Sequence, residues 1–349
     1  MDSAVVERNH QGGRGMTEWK NLTKDEQVAA LQQVAGQKHI PPQAVEKDLW
    51  VTTLLQVVFS LSFADKLVFK GGTSLSKVFG RIERFSEDID LAIDRTHFGL
   101  DGDLTKKQLK KLRKASSTFV RDEFLHELQE ALSRFGLDGL KVTAEPDGEG
   151  DATYPEPRKI FIEYQSLFRE SIDYIRPRVM LEVGARSLIE PTTEVKIRSL
   201  VEQAFPDVKT AVVEPLIATA VIEKTFLEKA FLLHELLTTG AGAHADRKSR
   251  HLYDLEKMMD EEFAAAAISN DELWKTISHH RQVFTSMRDV DYTPDIRRRI
   301  VLVPPQAFQK EWKEDYETMR STMVFGKAPE FDELMKRMKE LEERFRKQS

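Results

Sequence analysis

"VFKGGTSLSKVFGRIERFSEDIDLAID", residues Val68 to Asp94, sets two glycines, a hydroxyl pair and two carboxylates inside one short window. An apolar run from Lys66 to Lys70 stops at Gly71-Gly72, and Ser74 to Phe79 then reads as a short helix, so the first half is strand, glycine turn, helix. The second half alternates strictly. Ile89, Leu91 and Ile93 fall on one side of a half-buried strand from Glu87 to Ile93, and Asp88, Asp90 and Ala92 fall on the other. Two carboxylates at i and i+2 on a strand project side by side, held by a sheet rather than a mobile loop. That arrangement suits magnesium, a hard ion held by a few carboxylates plus substrate phosphates, with manganese as its substitute. The glycines allow close backbone approach, and a helix start aims free N–H groups at phosphate, to which Thr73 and Ser74 can add hydroxyl donors. A lone Asp-x-Asp is a common product of alternation, and it is the combined order that points to phosphoryl chemistry.

Outward from this window the chain is mixed at first and helical later. Helical spacing runs from Thr23 to Gln37 and from Pro42 to Leu61, with Pro41-Pro42 between them. Thr105 to Phe135 is a long amphipathic helix whose start carries Lys106, Lys107, Lys110, Lys111, Arg113 and Lys114, a solvated face in preference to an RNA groove. Gly139 to Val142, Lys159 to Tyr164 and Arg178 to Val183 read as further strands, separated by a Pro/Gly/Asp-rich stretch from Glu145 to Pro157. After about Pro215 strand signals nearly vanish. Thr225-Phe-Leu-Glu228 has the form of a capping box that starts a helix ending near Leu237, and Thr238 to Ala245 is a loop. Helical periodicity returns from about Arg247 to Met259, Asp271 to Met287, Pro305 to Met323 and Phe331 to Lys347.

The expected fold class is therefore an α/β (α+β) lobe with a mixed sheet followed by a mostly α-helical lobe. Residues 1–16 are expected to form a flexible tail, 17–214 the α/β lobe with its N-terminal helices, and 215–349 the helical lobe. A length of 349 residues agrees with two lobes, and 40% hydrophobic with 32% charged residues describes an ordinary globular chain. The absence of cysteine excludes disulfides, thiolate zinc sites and cysteine nucleophiles, and it fits the cytoplasm. No run approaches a spanning helix and no secretory apolar region opens the chain, so membrane partners are not expected. A net charge of −6 argues against a uniformly basic nucleic-acid coat. His279-His280 lacks a partner at zinc spacing, and neither a Walker A pattern nor a dinucleotide fingerprint is present.

The order of strand, Gly-Gly-Thr-Ser, helix and Ser-Glu-Asp-Ile-Asp-Leu resembles the nucleotidyltransferase superfamily signature. More narrowly, "FKGGTSLSK" with "RFSEDIDL" looks like the AbiEii/AbiGii toxin family, which includes the MenT-type toxins. Fifteen residues lie between Gly72 and Asp88, longer than the usual superfamily spacing. "AVEKDLWVTTLL" (44–55), "VMLEVGARS" (179–187), "EKTFLEKAFLLHEL" (223–236) and "SRHLYDL" (249–255) resemble the family's other blocks in order, so the likeness spans roughly residues 40–345. It implies a magnesium-dependent nucleotidyltransferase with Asp88 and Asp90 as metal ligands. Lys229 would neutralise a nucleoside triphosphate. Asp254 would orient Lys229, accept a proton or bind an incoming arginine. Glu182, on a late strand, is either a third carboxylate or an ion-pair partner of Arg178 or Arg186.

The catalytic set so implied is Asp88, Asp90, Lys229, Asp254 and Glu182. The nucleotide-binding set is Gly71, Gly72, Thr73, Ser74, Lys77, Lys229, Arg247 and Arg250, although Arg250 and Asp254 could equally form a simple i,i+4 pair. The resemblance further implies a toxin of a bacterial toxin–antitoxin or phage-defence pair, a cognate antitoxin protein, and an RNA acceptor such as a tRNA 3′ end. A small molecule or protein side chain as acceptor, or a non-catalytic nucleotide- or RNA-binding module, are the alternatives.

Overall fold

A computed structural model describes residues 17–86, 88–150, 153–169, 175–243 and 245–347. The expected N-terminal tail, residues 1–16, and Glu87 lie outside them. In chain order the described elements are β1 (Thr17–Glu18), α1 (Lys24–Lys38), α2 (Pro42–Val58), β2 (Leu67–Lys70), α3 (Gly71–Lys77), β3 (Asp88–Ile93), α4 (Lys106–Phe119), α5 (Leu125–Arg134), β4 (Lys141–Ala144), β5 (Arg158–Glu163), β6 (Arg178–Gly184), β7 (Thr192–Val195), α6 (Leu200–Ala204), β8 (Val208–Lys209) and β9 (Ile217–Ala220). Helices follow: α7 (Ile222–Thr238), α8 (Arg250–Met258), α9 (Glu262–Ser269), α10 (Asp271–Phe284), α11 (Gln309–Thr322) and α12 (Phe331–Lys347).

The strand β3 lies in the middle of a seven-stranded mixed sheet of order β4-β5-β6-β3-β2-β9-β7. It runs parallel to β6 and antiparallel to β2, while β2 runs parallel to β9. Its alternation does what the sequence predicts. Ile89, Leu91 and Ile93 are buried with Phe69, Leu181 and Ile160 under α2, α4 and α5, and the acidic side faces away from that core. Thr105 caps α4 through a reciprocal bond pair with Gln108, and a π-helical turn at Val120–Phe124 joins α4 to α5.

The helical lobe has its own core, built by Phe226, Phe231, Tyr253, Trp274, Trp312 and Phe345 among others, and Leu75 and Ile82 reach into it from the α/β lobe. Two features differ from expectation. The sheet takes β9, four residues lying just beyond Pro215, between β2 and β7. Thr225 is not a cap, because α7 starts at Ile222 with Val221 as its N-cap, and the Thr225 hydroxyl donates back to the Val221 carbonyl at 3.3 Å.

The lobes meet at both ends of β3. At its start the Glu83 N–H donates to the Tyr253 hydroxyl at 3.3 Å. Beyond its end Arg186 donates to the Phe284 carbonyl, and His279 pairs with Asp103 at 2.8 Å. Of the tandem histidines, His279 thus contacts Asp103, and His280 stacks on Phe284 of its own helix with centroids 4.5 Å apart. No helix among the described residues is long and apolar enough to cross a membrane.

Candidate active site

Strand register assembles the polar face. Lys159 on β5 pairs with Glu182 on β6, Glu182 with Asp90 on β3, and Asp90 with Lys70 on β2, so four charged residues form one row across four strands. Asp88 stands one step along β3, opposite Met180. The row reads plus, minus, minus, plus. Burial pushes the Glu182 carboxyl up, and the Asp90 carboxylate beside it pushes further in the same direction, against the pull of Lys159, whose ammonium is 3.6 Å away. Glu182 therefore pairs with Lys159 rather than with Arg178 or Arg186, and it stands beside Asp90 in register.

Crowded carboxylates of this kind are the donor chemistry that a hard divalent cation relieves. Among the described residues no three such side chains are grouped closely enough to hold an ion unaided. A divalent cation at this row would need ligands beyond these carboxylates. Lys70, given no role by the sequence, stands at the end of the row.

The glycines enter α3 directly, with Lys70 as its N-cap. Gly71 has φ +81°, and a Cβ there would overlap the Asp90 carboxylate. The Gly71→Ala variant combines that overlap with left-handed backbone strain of about 1–2 kcal/mol. It is expected to lose nucleotidyl transfer and to melt at lower temperature, which a transfer assay and a thermal melt check together. A Cβ on Gly72 would lie 2.9 Å from both Arg84 Nη2 and Ser86 Oγ.

Three expected phosphate ligands are placed otherwise. Ser74 is fully buried and donates to the Gly71 carbonyl at 2.8 Å. The Thr73 hydroxyl bonds to the Asp88 carbonyl and lies 2.9 Å from Ser86 Oγ. Each hydroxyl owns one proton: that of Ser74 is spent inside the turn, and that of Thr73 ties the turn to β3. Lys77 is buried in an ion pair with Asp48, whose second oxygen accepts the Leu200 N–H at 2.7 Å. Its ammonium ties α3 to α2 and α6.

The helical lobe contributes Lys229 from α7 and Asp254 from α8. Lys229 Nζ lies 2.8 Å from Asp254 Oδ2 and 3.4 Å from His251 Nδ1. Asp254 is wholly buried, and Arg84 grips it with two parallel bonds of 2.7 Å each. Burial alone would raise the Asp254 carboxyl, but Arg84 and then Lys229 reverse this and hold it well below the usual carboxylate range. Burial lowers the Lys229 ammonium, with Asp254 opposing. His251 is held far below its ordinary value by burial and then by Lys229, so it stays neutral and offers Lys229 a lone pair.

In this geometry Asp254 holds Lys229 through Oδ2, and the arginine it binds is the chain's own Arg84. The simple helix pair with Arg250 is displaced, and Arg250 acts on Lys229 as a nearby like charge. Arg247 sits at φ +55°, its N–H donating to Asp315 at 2.7 Å in the turn ahead of α8.

Arg84 is the residue the sequence left unmarked. It lies in an irregular stretch between α3 and β3, 170 positions from Asp254, and only its place within "RFSEDIDL" hinted at it. It joins the Lys229–Asp254 pair to the glycine turn, since Arg84 occupies the space beside Gly72 and the Asp90 carboxylate the space beside Gly71. Open cavities of about 540 and 440 Å³ lie elsewhere, along α4 and α5, and none of the row's carboxylates lines them.

A solved structure of MenT4, a nucleotidyltransferase toxin from Mycobacterium tuberculosis H37Rv, aligns over 93% of this chain and 98% of its own, with 14% identity and a TM-score of 0.42. No curated protein sequence matches. The family model for the nucleotidyl transferase AbiEii toxin of type IV toxin–antitoxin systems matches residues 53–337, which covers the glycine turn, the acidic strand and the Lys229 and Asp254 segments but little of the 44–55 block. The chain belongs to the AbiEii nucleotidyl transferase toxin family.

Proposed function

We propose that this toxin transfers a nucleoside monophosphate from a nucleoside triphosphate to an RNA hydroxyl, such as a tRNA 3′ end, in the cytoplasm of a bacterium where a cognate antitoxin opposes it. The observation that carries the reading is the row Lys159, Glu182, Asp90, Lys70 joined through the glycine turn to the Arg84–Asp254–Lys229 cluster. The acceptor oxygen attacks the α-phosphorus, the new P–O bond forms as the α–β bridge bond breaks, and pyrophosphate leaves.

Asp88 and Asp90 would hold magnesium or manganese, which supplies charge neutralisation on the triphosphate and acidifies the attacking hydroxyl. Glu182, with its raised carboxyl pKa, is positioned to take the acceptor proton. Lys229, oriented by Asp254, balances charge on the departing pyrophosphate, and the Gly71-Gly72 backbone lets phosphate approach. Labelled nucleoside triphosphates incubated with total tRNA should label RNA, and EDTA should abolish the label. Label found only on the protein or on an added small acceptor would reject the RNA reading.

A further inference from the structure

Two large apolar side chains stand exposed among the described residues, Leu216 at 53% and Phe325 at 39%. Phe325 is not a loose loop tip. Arg84 and Val324 form an antiparallel bridge, with the Phe85 N–H donating to the Met323 carbonyl at 2.9 Å and the Phe325 N–H to the Glu83 carbonyl at 3.0 Å. Gly326 presses so closely on the Glu83 side chain that a Cβ there would overlap it, and Lys257 binds the same carboxylate at 3.3 Å. The strap between α11 and α12 is thus sewn to the residues that lead into β3.

On that strap the Phe325 ring packs on Phe85 with centroids 5.4 Å apart and planes tilted by 56°, so Phe85 braces Phe325 without lying coplanar with it. Phe85 is supported from behind by the cluster containing Trp19, Leu167, Phe168 and Phe205. Phe85 and Asp88 are three positions apart, a reach of at most about 10 Å. That is the span of one or two nucleotides of a single strand.

We propose that Phe325, braced by Phe85, offers a ring face as a stacking platform for an unpaired base of the acceptor RNA, one or two nucleotides before the reacting hydroxyl. The inference rests on the RNA reading above. A planar base is the occupant that the geometry favours: aromatic rings bind bases of any sequence by their faces, and the platform is rigid before binding, so little ordering is lost. The rest of the nucleotide would run from the platform toward Asp88 and Asp90.

The test compares wild type with Phe325→Ala, Phe325→Trp and the control Leu216→Ala. Leu216 is also exposed but precedes β9, which runs parallel to β2, and so lies at the opposite end of the sheet. The probes are an unstructured RNA oligonucleotide with a free 3′ hydroxyl and a labelled nucleoside triphosphate. Loss of one stacked base should raise the acceptor KM of Phe325→Ala roughly tenfold or more, with recovery in Phe325→Trp and no rise in Leu216→Ala. A rise confined to the triphosphate KM overturns the proposal, because the platform would then hold the donor base. Unchanged acceptor KM overturns it too. If the wild type labels no RNA, the functional reading fails separately, and fluorescence anisotropy with the same oligonucleotide decides the platform: equal Kd for wild type and Phe325→Ala overturns it, and a roughly tenfold weakening in the variant sustains it.

Discussion

Replacing Asp90 with asparagine is expected to lower nucleotidyl transfer by about a thousandfold or more while the thermal melt holds steady or rises. The two halves of that expectation share one cause. Asp90 is neighbour to Glu182 in register and belongs to no ion pair among the described residues, so neutralising it removes a like-charge neighbour and breaks no salt bridge. Removing it takes away one of the forces that raise the Glu182 carboxyl, and like-charge crowding at a functional site is released. The variant keeps shape and hydrogen-bonding capacity but loses the hard anionic oxygen that magnesium requires. Transfer within tenfold of wild type, measured with labelled nucleotide at saturating magnesium, would end the metal assignment of the acidic strand.

The contrast between β3 and the stretch before it shows what a sequence carries. The alternation of Asp88 to Ile93 is a local pattern with one solution, since a single-residue slip would bury both acids, and the strand forms as read. Glu182 is legible for the same reason, because Arg178–Gly184 alternates and parallel pairing brings it beside Asp90. Arg84 has no such pattern. Its partner lies on a helix in the other lobe, and nothing periodic links them. Lys77 and Ser74 mislead in the opposite way: a cation and a hydroxyl beside a glycine turn suit phosphate, yet burial gives both to neighbouring backbone and Asp48. The strand β9, Ile-Ala-Thr-Ala, is four residues with two small side chains, too short to announce itself before α7. Its burial comes from the flanking strands, not from its own hydrophobicity.

Asp254→Asn is expected to cost both function and fold, because the buried carboxylate is the shared counter-ion of Arg84 and Lys229. Breaking a buried pair leaves uncompensated charge worth about 3–5 kcal/mol, so the melting temperature should fall on the order of 10 °C at pH 7. The pH dependence identifies the cause. The folded carboxyl is held below its unfolded value of about 3.9, so its stabilisation is fully present above that value and is lost as pH falls toward the folded one. The melting gap between wild type and Asp254→Asn should therefore narrow as pH drops from 7 to 3, whereas a gap of constant size would mean that the residue acts through packing alone. Arg84→Met completes the cycle. If Arg84 and Asp254 act as one unit, the double variant should lose far less than the sum of the singles, with a coupling of roughly 2 kcal/mol or more. Transfer should fall in both single variants, since Lys229 loses its orientation in one and the glycine turn loses its brace against the helical lobe in the other.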